Sequence, residues 1–404
     1  MTSFFRDLFG FNEMDVEYEE RLAKLMDMAQ LTIREDIFGK SKAQVAEHCA
    51  FRLPSGRVID AGFFTTPSVK ELRDEVEKQL SARKEHGTRP HARDNISPGH
   101  VIAVSNLVGE SRSLHHDCKY RGAVVQAASQ FNYLEFSHPS RVPEDGIQIY
   151  AYDHTQGPAC AVACAAGTVY RNYFTIFPED DSRGQRSFRQ LNGLDDIAAE
   201  LGETDAFFHV KGGYVDSTES KLNALHQRLQ NDNGIGEHLA SLLRIGVQRK
   251  TEATDSDAGT ILVQQGNGGC GVRVRDPSLP EDSKMLFTQT YNAAISFSYT
   301  DIPPELWRPL AQIVLNGTYE ATLLVAVLEA LNSASTTTTE PLTSPFPVLL
   351  TKVGGGVFGN EKEWIQDAIR RACQKVAKYG VPLRVHIVHY REVEEGYESF
   401  NTTF

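Results

Sequence analysis

The chain has 404 residues, 41% of them hydrophobic, which is enough for a substantial core in one large or two ordinary domains. Its 53 acidic and 41 basic residues give a formal charge of −12. That balance excludes the basic stripe of a duplex-binding surface, but not a basic pocket for one small anion. The opening MTSFFRDLFGFNEMDVEYEE lacks the basic region and sustained apolar run of a signal peptide. No apolar stretch reads as a membrane span, since the longest, Tyr319 to Leu331, carries Glu320 and Glu329. Cys49, Cys118, Cys160, Cys164, Cys270 and Cys373 follow no framework spacing, so a reduced, cytoplasmic location is expected.

Residues 14–36 and 66–86 have helical periodicity with dense charge; in the second, Val69, Leu72, Val76 and Leu80 share one face. Gly56 to Ala61 reads as a short extended piece, and 84–100 as a linker rich in breakers and charge. The expected division is therefore an α-rich N-terminal extension or cap over 1–97 and a catalytic or binding domain over 98–404. In the second part Val101–Val104 and Gly122–Val125 read as buried strands, and Ile147–Tyr152 as a strand leading to Asp153. Residues 153–174 open on a turn and become a helix. An irregular insertion at about 178–285 mixes a helix (218–230) with strands near 243–248 and 260–264. Met285–Ile295 reads as a further strand, and 303–331 as a long helix or helix pair, because Pro309 permits a break. The chain closes as strand 346–353, helix 361–379 and strand 383–388. Alternating strands and helices imply an α/β sheet.

Two loops stand out. FPVLLTKVGGGVFGNEKEW (346–364) is a strand, a glycine loop and a helix in succession. In an open parallel sheet such a junction lies at the carboxyl end of a strand, where ligands bind. Gly354, Gly355 and Gly356 allow positive φ and close approach, and successive amides there form an anion nest for a phosphate or diphosphate. Asn360 with Glu363 matches a capping box, and Glu361 and Glu363 repel an anion on the helix axis. A diphosphate is thus expected on the loop amides, beside the helix end. In the other loop, Asp153-His154-Thr155-Gln156-Gly157-Pro158, Gly157 suits an N-cap and Pro158 the first helical position. The amides of Ala159, Cys160 and Ala161 would then lack intrahelical partners.

The order of these features resembles a macrodomain, and SQFNYLEF, YDHTQGPACA, GTVYRNYF and VGGGVFGN are most similar to the MavL-type macrodomain hydrolases. The likeness covers about residues 100–404. It departs from the pattern where Gln126-Ala127-Ala128-Ser129 replaces Asn-Ala-Ala-Asn. The resemblance implies a three-layer α/β/α sandwich with a long insertion. It also implies an ADP-ribose site over Gln130, Phe131, Thr155, Gln156, Gly157, Pro158, Ala159, Gly354, Gly355, Gly356, Val357, Phe358, Gly359 and Asn360, with the Phe358 ring against the distal ribose. The implied activity is removal of ADP-ribose from a modified protein, ubiquitin being the acceptor suggested by the closest likeness. A reader module that binds without cleaving is the alternative. No cofactor, metal, nucleic acid duplex or membrane enters this reading.

Cleavage at the ribosyl C1″ passes through an oxocarbenium-like transition state and needs an oriented water and a carboxylate. Asp153 is the first candidate, its competing role being an Asx turn to Thr155 or Gln156. Asn132 is placed on the distal ribose, and Glu144 and Asp145 are further acidic candidates. Glu135 reads as an ion-pair partner for Arg141. Cys160, in a first helical turn near His154 or His138, is a weaker nucleophile candidate. His115 to Cys118 reads as a surface turn, and His386 and His389 as packed or surface histidines.

Overall fold

The computed structural model describes residues 4–34, 46–85, 101–177, 180, 182–202, 205–232, 234–254, 260–263, 272–275, 284–333 and 344–404. The strands are, in chain order, β1 (Ala29–Arg34), β2 (Ala46–Arg52), β3 (Val58–Thr65), β4 (Ile102–Val108), β5 (Val124–Ala128), β6 (Ile176–Phe177), β7 (Ser182–Arg183), β8 (His209–Lys211), β9 (Tyr214–Asp216), β10 (Gly246–Glu252), β11 (Thr260–Val263), β12 (Val272–Arg275), β13 (Leu286–Asn292), β14 (Phe346–Leu350), β15 (Leu383–His389) and β16 (Thr402–Thr403). Ten of them form one sheet in the order β1-β2-β3-β10-β13-β5-β14-β15-β4-β16, and the rest pair as the ribbons β6-β7, β8-β9 and β11-β12. The block from β13 to β4 is parallel throughout. The strands β10, β3, β2 and β1 extend it antiparallel on one side, and β16 on the other.

The helices are α1 (Phe4–Phe9), α2 (Tyr18–Met28), α3 (Val69–Glu85), α4 (Ser111–His116), α5 (Gln156–Ala163), α6 (Ala165–Val169), α7 (Asp195–Leu201), α8 (Glu219–Gln230), α9 (Ile235–Leu242), α10 (Pro304–Ser333) and α11 (Lys362–Ala377). They cover both faces of the sheet. Successive strand residues point to opposite faces: Val124, Val348 and Leu350 join the core under α3, α10 and α11, whereas Val125 and Leu349 join the core under α5 and α6. The expected three-layer α/β/α architecture is present. Helix α10 passes Pro309 without a break. Helix α10 is long and apolar enough to cross a membrane by length and composition alone, but it is almost wholly buried inside the fold.

The expected N-terminal cap is different. Its proposed boundary at 97–98 lies outside the described residues, but β1, β2 and β3 are strands of the main sheet, and β3 pairs directly with β10. The helical periodicity read through 36 ends at Met28. The charges in these strands are satisfied across elements: Glu47 pairs with Arg183 at 2.8 Å, and Asp60 with Lys284 at 2.5 Å. The expected insertion likewise contributes β10 to the sheet.

Candidate active site

Strands β13, β5 and β14 are adjacent and parallel, and the connection from β13 to β14 runs over β5 through α10. Their carboxyl ends therefore open at a switch point, where an α/β sheet leaves a crevice. A cleft of about 270 Å³ lies there, lined by the end of β5, the 153–158 loop, the 351–358 loop, Tyr214 and Tyr299. The two loops singled out in the sequence, some 200 residues apart, share this one cleft.

The first loop is built on β5. Asp153 Oδ1 accepts from the Thr155 amide at 2.8 Å and from the Thr155 hydroxyl at 2.6 Å. This is the Asx turn weighed above. Both bonds fall on one oxygen; among the described residues Oδ2 has no partner. Asp153 lines the cleft and a neighbouring cavity of about 350 Å³, which also includes Glu110, Tyr390 and Ala159. Helix α5 starts two residues earlier than expected, with Thr155 as N-cap and Gln156 as first residue. Ala159 N–H consequently bonds Thr155 O at 3.1 Å, and the first-turn amides without an acceptor among the described residues are those of Gln156 and Gly157. The Gln156 side chain mimics a strand residue: its oxygen accepts from Ala128 N and its nitrogen donates to Gln126 O, both at 2.8 Å. A Cβ on Gly157 would lie 1.9 Å from Ala128 O. Glycine is required here for helix-to-strand contact.

Upstream, Ile147–Tyr152 is not a strand. Gln148–Tyr152 is a 3-10 helix. Its entry is fixed by buried Glu13, which accepts from Ile147 N at 3.0 Å and Gln148 N at 2.5 Å. Beyond α5 the helix breaks at Cys164, where Thr254 inserts between Ala163 O and Ala165 N.

In the second loop Gly354 has φ +78° and Gly359 φ +81°. Gly356 does not need positive φ, and a Cβ there would meet nothing within 4 Å. Gly356 lines the cleft, as do Gly354, Val357 and Phe358. Among the described residues the amides of Gly356, Val357 and Phe358 find no protein acceptor. Gly355 N–H is used by Lys352 O at 3.0 Å, and Gly359 N–H by Gly356 O at 3.1 Å. Asn360 is buried and braces the loop, donating to Ile295 O at 2.8 Å. The Asn360–Glu363 capping box does not form, since Glu361 is the N-cap of α11 and makes no side-chain cap bond. Buried Gln126 ties β5 to helix α10 and to the end of β14, donating to Thr322 Oγ1 at 3.1 Å and accepting from Thr351 N at 3.2 Å.

Several sequence candidates lie elsewhere. Asn132 is buried, and its amide group is committed to Gln190 at 2.7 Å and Leu134 N at 3.1 Å. It shapes the 130–136 loop and does not line the cleft. Phe131 is a core residue, whereas Gln130 does line the cleft. Glu144 accepts from Ser187, and Asp145 caps Val142 N at 3.1 Å; neither lines the cleft. Glu135, by contrast, does line the cleft; it pairs with Arg171, not Arg141, at 3.1 Å, with both side chains fully buried. Burial lifts the Glu135 carboxyl to about 7 against the pull of the Arg171 guanidinium. Arg171 in turn stacks 3.4 Å from the Tyr291 ring centroid. Cys160 is sealed, and burial pushes its thiol up to about 12, which removes the thiolate a nucleophile needs. His115 is buried, bonded to Ser111 O at 2.7 Å, and lowered to about 4 by burial. His386 and His389 are packed against Ser105 and Asn106.

Sequence reading missed the aromatic end of the cleft. Tyr214, Tyr299 and Phe358 meet as a cluster, with ring centroids 5.7 Å apart for Tyr214–Phe358 and 5.8 Å for Tyr214–Tyr299. Tyr214 lies in the insertion on β9, and no local pattern marks it. Burial raises both tyrosine hydroxyls, and the Asp153 charge adds to that shift, which places the carboxylate in the field of this end of the cleft. Lys352, also at the cleft, pairs with Glu394.

No family model and no curated protein matches this sequence. Among solved structures the chain is similar to the poly(ADP-ribose) glycohydrolase from Deinococcus radiodurans in complex with ADP-ribose, at 8% identity and TM-score 0.34, over 83% of this chain and 90% of that one. It is also similar to the poly(ADP-ribose) glycohydrolase from Thermomonospora curvata, at 13% identity and TM-score 0.31, over 87% of this chain and 90% of that one. Likeness at this level carries no part of the functional argument, which rests on the cleft.

Proposed function

We propose that the protein is an ADP-ribosyl hydrolase that removes ADP-ribose from a modified protein. The diphosphate lies on the amides of Gly356, Val357 and Phe358 and on the first-turn amides of α5. The distal ribose lies between Phe358 and Asp153, whose charge reaches the neighbouring Tyr299. The motifs shared with the MavL-type hydrolases support the same reading.

The observation that carries the proposal is the state of Asp153. One oxygen anchors the carboxylate to Thr155, the other has no partner among the described residues, and Asp153 lines the cleft. An anchored carboxylate with a free oxygen can orient water, take its proton, or steady an oxocarbenium ion. A reader module has no need of it. The fixed amides cost no reorganisation as charge moves in the transition state.

The test is incubation with proteins mono-ADP-ribosylated through Arg, Glu or Ser, ubiquitin included, following free ADP-ribose by mass spectrometry. Release from at least one linkage is expected. ADP-ribose binding by calorimetry with no release from any linkage would make the protein a reader.

A further inference from the structure

The cleft continues beyond its aromatic end. Tyr214 and Tyr299 line the cleft on one side and, on the other, a separate cavity of about 310 Å³ with His138, His209, Lys211 and Asp216 at its rim. The dividing wall is fixed. Tyr214 donates to Phe136 O at 2.7 Å. The β8-β9 turn clamps onto the 130–139 loop, with Phe131 N–H bonding Gly213 O at 3.0 Å. A Cβ on Gly212 would lie 2.8 Å from Pro139 O, so the turn sits directly on that loop. The insertion thus builds one side of the cavity, and no part of the ADP-ribose reading uses that side apart from Tyr214.

Its chemistry differs from that of the cleft. His138 Nδ1 is bonded to Ser140 at 2.7 Å, and His209 faces Asp216 at 3.6 Å. Lys211 is exposed and forms no ion pair with any described residue. The rest of the lining includes Pro139, Val215 and the two tyrosines. Among the described residues it presents one exposed ammonium, Lys211, over an apolar floor, with its one carboxylate, Asp216, turned to His209. Among the described residues it has neither an arginine nor a loop of free glycine amides of the kind that holds a diphosphate. A single carboxylate on an extended peptide matches this better than a further nucleotide.

We propose that this cavity receives the acceptor polypeptide on the leaving side of the ADP-ribosyl bond, and that Lys211 selects an acidic side chain next to the modified residue. This rests on the hydrolase reading for the direction of the ligand. With the distal ribose between Phe358 and Asp153, the atoms beyond it leave past Tyr299. An exposed ion pair is worth a few-fold in affinity and is screened by salt.

The test uses two mono-ADP-ribosylated peptides of equal length, one with Glu and one with Gln on both sides of the modified residue. Binding is measured by calorimetry and turnover by ADP-ribose release. The Glu peptide should bind about two- to five-fold tighter at low salt, the difference appearing in KM and not kcat. Lys211→Gln should abolish that preference while free ADP-ribose affinity stays unchanged, and Lys211→Arg should keep it. Equal Kd for the two peptides, or a preference that survives Lys211→Gln, overturns the proposal. So does tighter binding of poly-ADP-ribose than of either peptide. Because Kd is read separately from release, failure to cleave counts against the hydrolase reading and leaves the cavity still decided by the two affinities.

Discussion

Replacing Asp153 with asparagine separates its two roles. The two hydrogen bonds that hold the turn, from Thr155 N at 2.8 Å and Thr155 Oγ1 at 2.6 Å, both end on Oδ1. An asparagine carbonyl oxygen can accept both, so the turn and the start of α5 should survive. What disappears is the charge and the free Oδ2. General acid–base groups typically contribute about 100- to 10,000-fold, which is about 2.7–5.4 kcal/mol of transition-state stabilisation. Asp153→Asn should therefore lower ADP-ribose release by that factor with calorimetric affinity for ADP-ribose equal or slightly tighter, since an anion near the diphosphate is removed. Asp153→Ala loses both turn bonds, each worth about 1 kcal/mol, so its affinity should fall as the loop loosens. Release by Asp153→Asn within a few-fold of wild type would refute the argument, and a preserved turn in the mutant would leave no structural excuse for it.

The second loop gives a cleaner binding test. A Cβ on Gly356 meets nothing within 4 Å, so Gly356→Val should fold normally and lose ADP-ribose affinity; unchanged calorimetry would remove the loop from the site. Gly157→Ala should instead destabilise the fold, because its Cβ would meet Ala128 O at 1.9 Å; an unchanged melting temperature would contradict that. The Glu135 carboxyl is raised from its ordinary 4.5 to about 7, so between those values the folded state holds a proton the unfolded chain has released. Its stabilisation is full below about pH 4.5 and lost as pH rises through about 7, and Glu135→Gln should flatten that part of the urea-midpoint profile. Arg171→Met should cost about 3–5 kcal/mol at pH 8, where Glu135 is left as a buried unpaired charge, and less at pH 5.5; equal losses at both would show that the pair is not electrostatically coupled. A truncation beginning at Val101 would remove Glu13 from the turn before Asp153 and β3 from β10, and should fail to give a soluble folded chain.

Both cleft loops were legible because their signals are local: turn residues, small residues and a helix start within a dozen positions. The positions of individual glycines were not. Gly354 and Gly359 take the positive φ angles, whereas Gly356 is the open one and Gly157 serves a backbone contact. Sequence pattern failed wherever a distant residue decides local structure. Ile147–Tyr152 alternates like a strand, but Glu13 captures its entry amides. The strands β2 and β3 carry Glu47 and Asp60, whose partners Arg183 and Lys284 lie far away in the sequence. Glu135 looked like a partner for nearby Arg141; the actual partner, Arg171, is a helix away and buried. Tyr214 and Tyr299 come from separate segments and meet Phe358 only in the folded chain.

The pairing of β3 with β10 also sets an order of events during synthesis. Thr65 lies opposite Val247 in the register, 182 residues later by subtraction. At about 5–20 residues per second, the N-terminal strands wait roughly 10–40 s for the neighbour that covers their inner edge. Until then β3 presents an unpaired strand, the kind of edge that recruits other chains. The slow step in making this protein should be closure of that long loop. Strand β3, which leaves the ribosome well before β10, is therefore among the last parts of this sheet to reach its final contacts.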